Sequence, residues 1–451
     1  MTPALAAIAA YLLLQLGIGV WVSRRITSEN DYLIAGRRLG YGLATFSIFA
    51  TWFGSETVVG SAGTAYRDGV SLASAEPFGY GLCLILMGLV FAGPLWRRKL
   101  TTLADLFRQR FSVSVERTAA VILIPGSILW AAAQVRAFGQ VLATAAPGLP
   151  VDGAIAAAAG FTMLYTVFGG LLADAITDLI QGVVLIVGLL VVLGALLLAV
   201  PGDIVPNASA LHLVPRDVPP MALLEEWAIP VAGSLIATEL VGRVIATRTE
   251  GVARGSSLMA GGLYLVVGVI PLVIGLVGRT VVPELADAEQ VVPRVAQQLL
   301  PTVLYAVFIG GFISAILSTV DSTLLVSSGL LSHNLVVPVF GVTSERTKVV
   351  IARAGVLTFG VVAWALAVRA EGVFALVEQA SAFGSAGTLV TVTFGLFTRL
   401  GGPRTALATL LAGLLVYVLA SYGGAPYPFL ASLGVSLAVY LAGSALERVV
   451  R

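Results

Sequence analysis

Four hydroxyl residues and one carboxylate stand together in an apolar part of the chain. They are Ser318, Thr319, Ser322 and Thr323 with Asp321, inside A-I-L-S-T-V-D-S-T-L-L-V-S-S at Ala315–Ser328. The surrounding apolar run, from about 303 to 335, is long enough to cross a bilayer. At the centre of a spanning helix an Asp costs about 2.5 to 3.5 kcal/mol, so this carboxylate needs an ion, a partner or water. On a helix Ala315, Ser318, Thr319 and Ser322 share one face, with Asp321 at its margin. Hard oxygen ligands of that kind, mostly neutral, suit a monovalent cation better than a tightly held divalent one, and sodium is the candidate. The alternative is that the hydroxyls bond their own helix carbonyls or join neighbouring helices.

Two further stretches carry polar groups at apolar positions, each beside a signal for helix interruption. The first is Phe53-Gly54-Ser55-Glu56-Thr57, followed by Gly60 and Gly63; the second is Pro230-Val231-Ala232-Gly233-Ser234, followed by Glu239 and Gly242. Interrupted spans expose carbonyls to an ion and helix ends to a substrate, and a pair of them five spans apart is the mark of an inverted five-plus-five repeat. Glycines at these positions also serve close helix packing.

The elements that must position these groups are membrane helices. With 451 residues, 58% of them hydrophobic and 11% charged, and a mean hydropathy of +0.98, the chain has more apolar length than a soluble core could bury. Apolar segments fall at 3–22, 40–66, 74–96, 117–144, 152–172, 175–200, 221–246, 253–278, 300–334, 347–369, 372–397, 403–422 and 427–446, which predicts an all-α polytopic membrane protein of about thirteen spans. Links after odd-numbered spans, counted with the adjoining span ends and the C-terminal tail, carry 20 of the 26 Lys and Arg residues, Arg243 among them; the other links carry 5, and Arg136 lies within a span. That asymmetry places the N-terminus outside and the C-terminus in the cytoplasm, with the plasma (inner) membrane as the expected location. The apolar start lacks a basic leader region, so it reads as a retained first span. Residues 201–220, with five prolines, read as an outer loop.

Several function classes are disfavoured. A net charge of +2 with its basic residues in short links points away from nucleic acid. The single cysteine, Cys83, forms no intrachain disulfide, and His212 and His333 lack the neighbours of a zinc or haem site. Neither Lys99 nor Lys348 sits in a phosphate-binding loop. No nucleophile or cofactor loop suggests an enzyme.

Three motifs then resemble the sodium/solute symporter family over essentially the full length: F-A-T-W-F-G-S-E-T-V-V-G at Phe49–Gly60, F-G-G-L-L-A-D-A-I-T-D-L-I-Q at Phe168–Gln181, and Ala315–Ser328. Within it the likeness leans to the choline-transporting branch, through Pro77–Leu86, Ile128–Ala133 and Ser318–Thr323. The resemblance implies a leucine-transporter-like core of spans two to eleven, with estimated repeat bounds of 40–246 and 221–397, an extra helix at 3–22 and two more within 403–446. It implies a main sodium site from the carbonyls of Ala50, Phe53 and Ala315 and the hydroxyls of Ser318 and Thr319. A second sodium position, found in some members, falls on Asp178 with Ser318 and Ser322, and Asp321 stands beside it where a hydroxyl is common. That difference leaves the stoichiometry open, and Asp178 has an alternative reading as a helix cap.

The resemblance also maps substrate-caging aromatics onto Trp52, Tyr80 and Trp130, each worth about 2 kcal/mol or more to a desolvated quaternary ammonium. Ordinary packing is the alternative for each ring. A fourth aromatic position reads Ala237, Gln134 falls on the Trp130 face, and Glu56 and Glu239 add acids near the breaks. Arg136 points elsewhere and is expected to pair with Glu239 or to meet a substrate carboxylate. The expectation is therefore a sodium-coupled symporter of a small organic cation or zwitterion such as choline, betaine or an amino acid. Alternatives are a sugar or carboxylate symporter, a sensor that keeps the transporter fold, and a channel; the oligomeric state is open.

Overall fold

The computed structural model describes residues 3–146, 148–200, 211–212, 218–285, 287–370 and 373–449. Most of the expected outer loop 201–220 and the basic Arg451 lie outside them.

The chain opens with α1 (Pro3–Ser23), α2 (Glu29–Ile34) and α3 (Tyr41–Trp52), then α4 (Ala62–Asp68), α5 (Phe78–Leu86), α6 (Ala92–Arg97), α7 (Ala104–Arg110), α8 (Val113–Ala145) and α9 (Val151–Ala199). It continues through α10 (Pro220–Ala228), α11 (Thr238–Ile245), α12 (Glu250–Gly278), α13 (Val291–Leu299), α14 (Thr302–Gly329) and α15 (Val337–Phe340). The last five are α16 (Glu345–Arg369), α17 (Val373–Ala382), α18 (Ser385–Phe397), α19 (Pro403–Tyr422) and α20 (Pro428–Val449). A short parallel strand pair, Val70–Ser71 with Leu211–His212, adds the β-structure.

Helix ends follow local chemistry. Ser28 and Asp31 make a capping box at α2, and Ser112, Thr249 and Ser344 cap α8, α12 and α16 by accepting backbone N–H bonds. Ten helices among the described residues are long and apolar enough to cross a bilayer, which does not reach the expected thirteen. The shortfall has physical sources. The second expected span is split between α3 and α4, and the described apolar part of α1 is short. The fifth and sixth expected spans run on as one 49-residue element, α9. At 1.5 Å per residue α9 far exceeds a bilayer's thickness, and Gly170 breaks it with φ +60°. Only glycine adopts that conformation freely, and an added Cβ would meet Tyr32 at 2.9 Å.

Packing is helix on helix, with α14 central against α1, α8, α9 and α16. Where α12 crosses the split span it carries Gly275, whose Cβ would lie 2.2 Å from the Ala62 carbonyl oxygen. Small residues at such crossings let backbones approach, and that contact fixes α4 behind the break.

Candidate functional site

The break begins where α3 stops at Trp52 and Phe53 turns to φ −88°, ψ 64°. After Gly54 and Ser55 the chain resumes as a π-helical turn, Glu56–Ser61. A helix end leaves its last carbonyls without intrahelical partners. Thr319 on α14 donates to the Thr51 carbonyl at 3.0 Å and lies 3.5 Å from the Ala315 carbonyl, so the break and α14 meet. The Trp52 carbonyl accepts from the Tyr264 hydroxyl at 3.2 Å. No side chain among the described residues bonds the carbonyls of Ala50 or Phe53. Open carbonyls beside a hydroxyl are the donor set an alkali cation takes, so of the expected main-site residues Ala50, Phe53 and Thr319 fit sodium.

Ser318 points a different way. Its hydroxyl donates to Asp178 Oδ1, while Ser47 donates to Asp178 Oδ2 at 2.5 Å. Ser322 donates to Asp174 at 3.1 Å and to the Ser318 carbonyl at 2.6 Å, so α9 and α14 are joined by a ladder of carboxylates and hydroxyls. Asp178 is fully buried in mid-helix, which removes the helix-cap reading. Asp321 does not join the ladder: its Oδ1 accepts from Thr166 at 2.6 Å, and its Oδ2 is buried without a hydrogen-bond partner.

The ladder also holds a residue that the sequence reading placed in a cytoplasmic link. Arg243 lies in α11 with 0% exposure, its Nη2 2.7 Å from Asp174 Oδ2 and 3.5 Å from Asp178 Oδ2. A basic residue flanked by L-V-G and V-I-A, in the turn after a break, was the available signal. Asp174, four residues before Asp178 and so on the same face, was its counterpart.

On the substrate side Trp52 and Trp130 stack edge to face, with ring centroids 5.3 Å apart. Gln134 shares their neighbourhood as expected. It accepts from Ser55 Oγ at 2.9 Å and donates to Glu56 Oε2 at 2.8 Å. Glu56 is 2% exposed, and its Oε1 has no partner. Tyr80 stands further along, its hydroxyl 3.2 Å from Ser381. Glu239 bonds Ser127 and Thr238, lining a cavity of about 40 Å³ with Trp130 and Ala237. The expected Arg136–Glu239 pair does not form, because Arg136 donates to the Ala367 carbonyl at 2.9 Å on another helix. Glu76, unremarked in the sequence, accepts from Thr57 at 2.6 Å and from Tyr264 at 2.7 Å behind the break.

Two larger cavities converge on Glu56. One, about 560 Å³, is lined by Glu56, Arg136, Asp287, Glu289 and Arg294. The other, about 490 Å³, is lined by Glu56, Glu76, Tyr80, Glu225, Glu226 and Glu378, with no basic residue in its described lining.

A helical bundle whose span is interrupted at a polar cluster, with oxygen donors from segments far apart in sequence gathered at the interruption, defines a secondary transporter. The chain belongs to the sodium:solute symporter family, whose profile matches residues 32–413. That family consists of sodium-coupled membrane transporters, not enzymes. Among curated relatives, the High-affinity choline transporter 1 of Drosophila melanogaster is 25% identical over 83% of this chain, which spans 64% of that protein's length. The human High affinity choline transporter 1 is 27% identical over 94% of this chain and 77% of its own. The Sodium-coupled monocarboxylate transporter 2 of Bos taurus is also 27% identical, over 94% of this chain and 73% of its own. In fold the chain is similar to a Na+-coupled sialic acid symporter in its substrate-bound outward-open state, with a TM-score of 0.86 at 18% identity, covering 99% and 97% of the two chains. It is also similar to Mhp1, a nucleobase-cation-symport-1 family transporter, with a TM-score of 0.63 at 15% identity, covering 94% and 95%.

Proposed function

We propose that this chain imports a small organic cation or zwitterion together with sodium by alternating access. The observation that carries the substrate class is Glu56, a buried carboxylate with one oxygen unpartnered at the helix break, where both large cavities meet. A buried carboxylate without a counter-charge favours a cationic ligand, and the acid-lined cavity concentrates cations on the way to it. Trp52 and Trp130 stand close by, although their faces are turned to each other in this conformation. The likeness to choline transporters supports the same class.

Sodium at the Ala50, Phe53, Ala315 and Thr319 oxygens supplies the driving force, about 2.3 kcal/mol per charge and 100 mV. The chain's own residues do the rest. Thr319 ties the break to α14, Gln134 orients Ser55 and Glu56, and Tyr264 braces the Trp52 carbonyl. The charge asymmetry of the links supports an outer N-terminus in the plasma membrane, with Arg243 now removed from the cytoplasmic count. A second reading, a carboxylate substrate, draws on Arg136 and Arg294 in the 560 Å³ cavity and on the monocarboxylate relative. A zwitterion uses Glu56 and Arg136 together.

The test is uptake of radiolabelled choline, betaine, proline, glucose and pyruvate into proteoliposomes, with an inward gradient of sodium or of potassium. Accumulation of choline, betaine or proline in sodium alone is expected. Accumulation of only glucose or pyruvate overturns the substrate class, and equal uptake in potassium overturns the coupling.

A further inference from the structure

Two of the three residues to which the resemblance assigned a second sodium, Asp178 and Ser322, already face a cation, and the third, Ser318, is bonded to Asp178. We propose that Arg243 is the resident cation of that position, so that this chain couples to one sodium, held at the α3 break. The inference rests on the sodium-symport reading and refines its stoichiometry.

The guanidinium is anchored from three sides. Its Nε donates to the Ser47 carbonyl at 3.1 Å and the Ser47 hydroxyl at 2.9 Å, and its Nη1 to the Glu239 carbonyl at 3.3 Å. Its Nη2 bonds Asp174 Oδ2 at 2.7 Å and the Ser322 hydroxyl, and lies 3.5 Å from Asp178 Oδ2. A planar fork of five donors is thus used on every nitrogen.

The candidate ligands are committed as well. Asp178 Oδ1 takes the Ser318 hydroxyl and Oδ2 the Ser47 hydroxyl, while Ser322 faces Asp174. An ion placed among them would stand about 4 Å from a fixed positive charge. At an effective dielectric constant near 20 that repulsion weakens binding on the order of a thousandfold. Arg243 is buried, and its counter-charges Asp174 and Asp178 are buried with it, so leaving would strand both carboxylates. The main site lies on another side of α14. Thr319 is turned about 100° from Ser318 and bonds the α3 end, while Ser318 faces α9.

The experiment counts sodium bound per chain, using 22Na+ at saturation on the purified full-length protein in detergent. The wild type is expected to bind one. Arg243→Ala combined with Asp174→Asn removes the resident cation and one acid, keeps Asp178, Ser318 and Ser322, and is expected to double the count to two. A wild-type count of two overturns the proposal, as does a monodisperse double variant that still binds one. If the double variant does not fold, the wild-type count decides alone. A wild-type count of zero is a different failure, because it removes the sodium-symport reading and this inference with it.

Discussion

Single charged side chains carry unequal burdens in this protein, and Arg243 carries the largest. Removing one partner of a buried ion pair costs about 3 to 5 kcal/mol, because the other charge is left unpaired. Arg243→Leu is therefore expected to melt well below the wild type in a fluorescence-detected thermal scan. Asp174→Leu added to Arg243→Leu is expected to recover part of the loss. A single variant that melts like the wild type contradicts the pairing. Glu56 plays a different part, since it lines both large cavities and one of its oxygens is buried without a partner. A hydrogen bond to a charged group is worth about 1.5 to 3 kcal/mol, so Glu56→Gln should raise the half-saturating concentration of a cationic substrate by about tenfold or more. Concentration-dependent uptake measures this, and an unchanged value contradicts the assignment. At this scale the sequence was informative where residue type was out of place. Ser318, Thr319 and Glu56 stood out as polar groups in apolar runs and Asp178 came from the family resemblance, and all four lie at the break, in α14 or against it. Arg243 was misplaced because a basic residue near a span end looks the same whether it faces solvent or two acids on another helix. Only the tertiary contact with Asp174 and Asp178 separates those cases.

Helices position these residues through their interruptions and close crossings. The break after Phe53 was legible because Gly54 and Glu56 interrupt an apolar run, and the turn at Gly170 falls two residues before the expected end of the 152–172 span. The π-helical turns Glu56–Ser61 and Ile229–Gly233 fall on the two interruptions marked in the sequence, whereas Met87–Phe91 and Leu330–Val336 were not legible. One extra residue per turn leaves the apolar pattern nearly unchanged, so periodicity does not report it. The crossing of α12 over α4 offers a sharp test within one helix. Gly275→Ala sets a Cβ against the Ala62 carbonyl at 2.2 Å, whereas Gly262→Ala meets nothing within 4 Å. Overpacking costs about 1 to 3 kcal/mol, so Gly275→Ala should lower the melting temperature and sodium-driven uptake together, while Gly262→Ala leaves both near wild type. Equal behaviour of the two contradicts the close approach.

For the molecule as a whole, the number of sodium ions sets how steeply a solute can be concentrated. One sodium entering across 100 mV supports roughly 50-fold accumulation from voltage alone, and a second would multiply that by a similar factor. The same charge that Arg243 brings into the ladder therefore bears on the transport limit as well as on stability. The fold class was legible because long apolar segments with charged flanks repeat over the entire chain. The substrate was not, because Glu56 and Arg136 line one cavity and point to opposite charges on a ligand. Sodium-coupled transport by this chain requires the α3 break and α14 to meet around an alkali cation. Its most direct test is the melting temperature of the purified chain titrated with sodium chloride, against potassium chloride at equal ionic strength, for wild type and Thr319→Val. A ligand that binds only the folded state stabilises it by mass action. A saturable rise in sodium, absent in potassium and lost or shifted to much higher sodium in Thr319→Val, is predicted. Identical melting in the two salts, or a sodium response untouched by Thr319→Val, would contradict it.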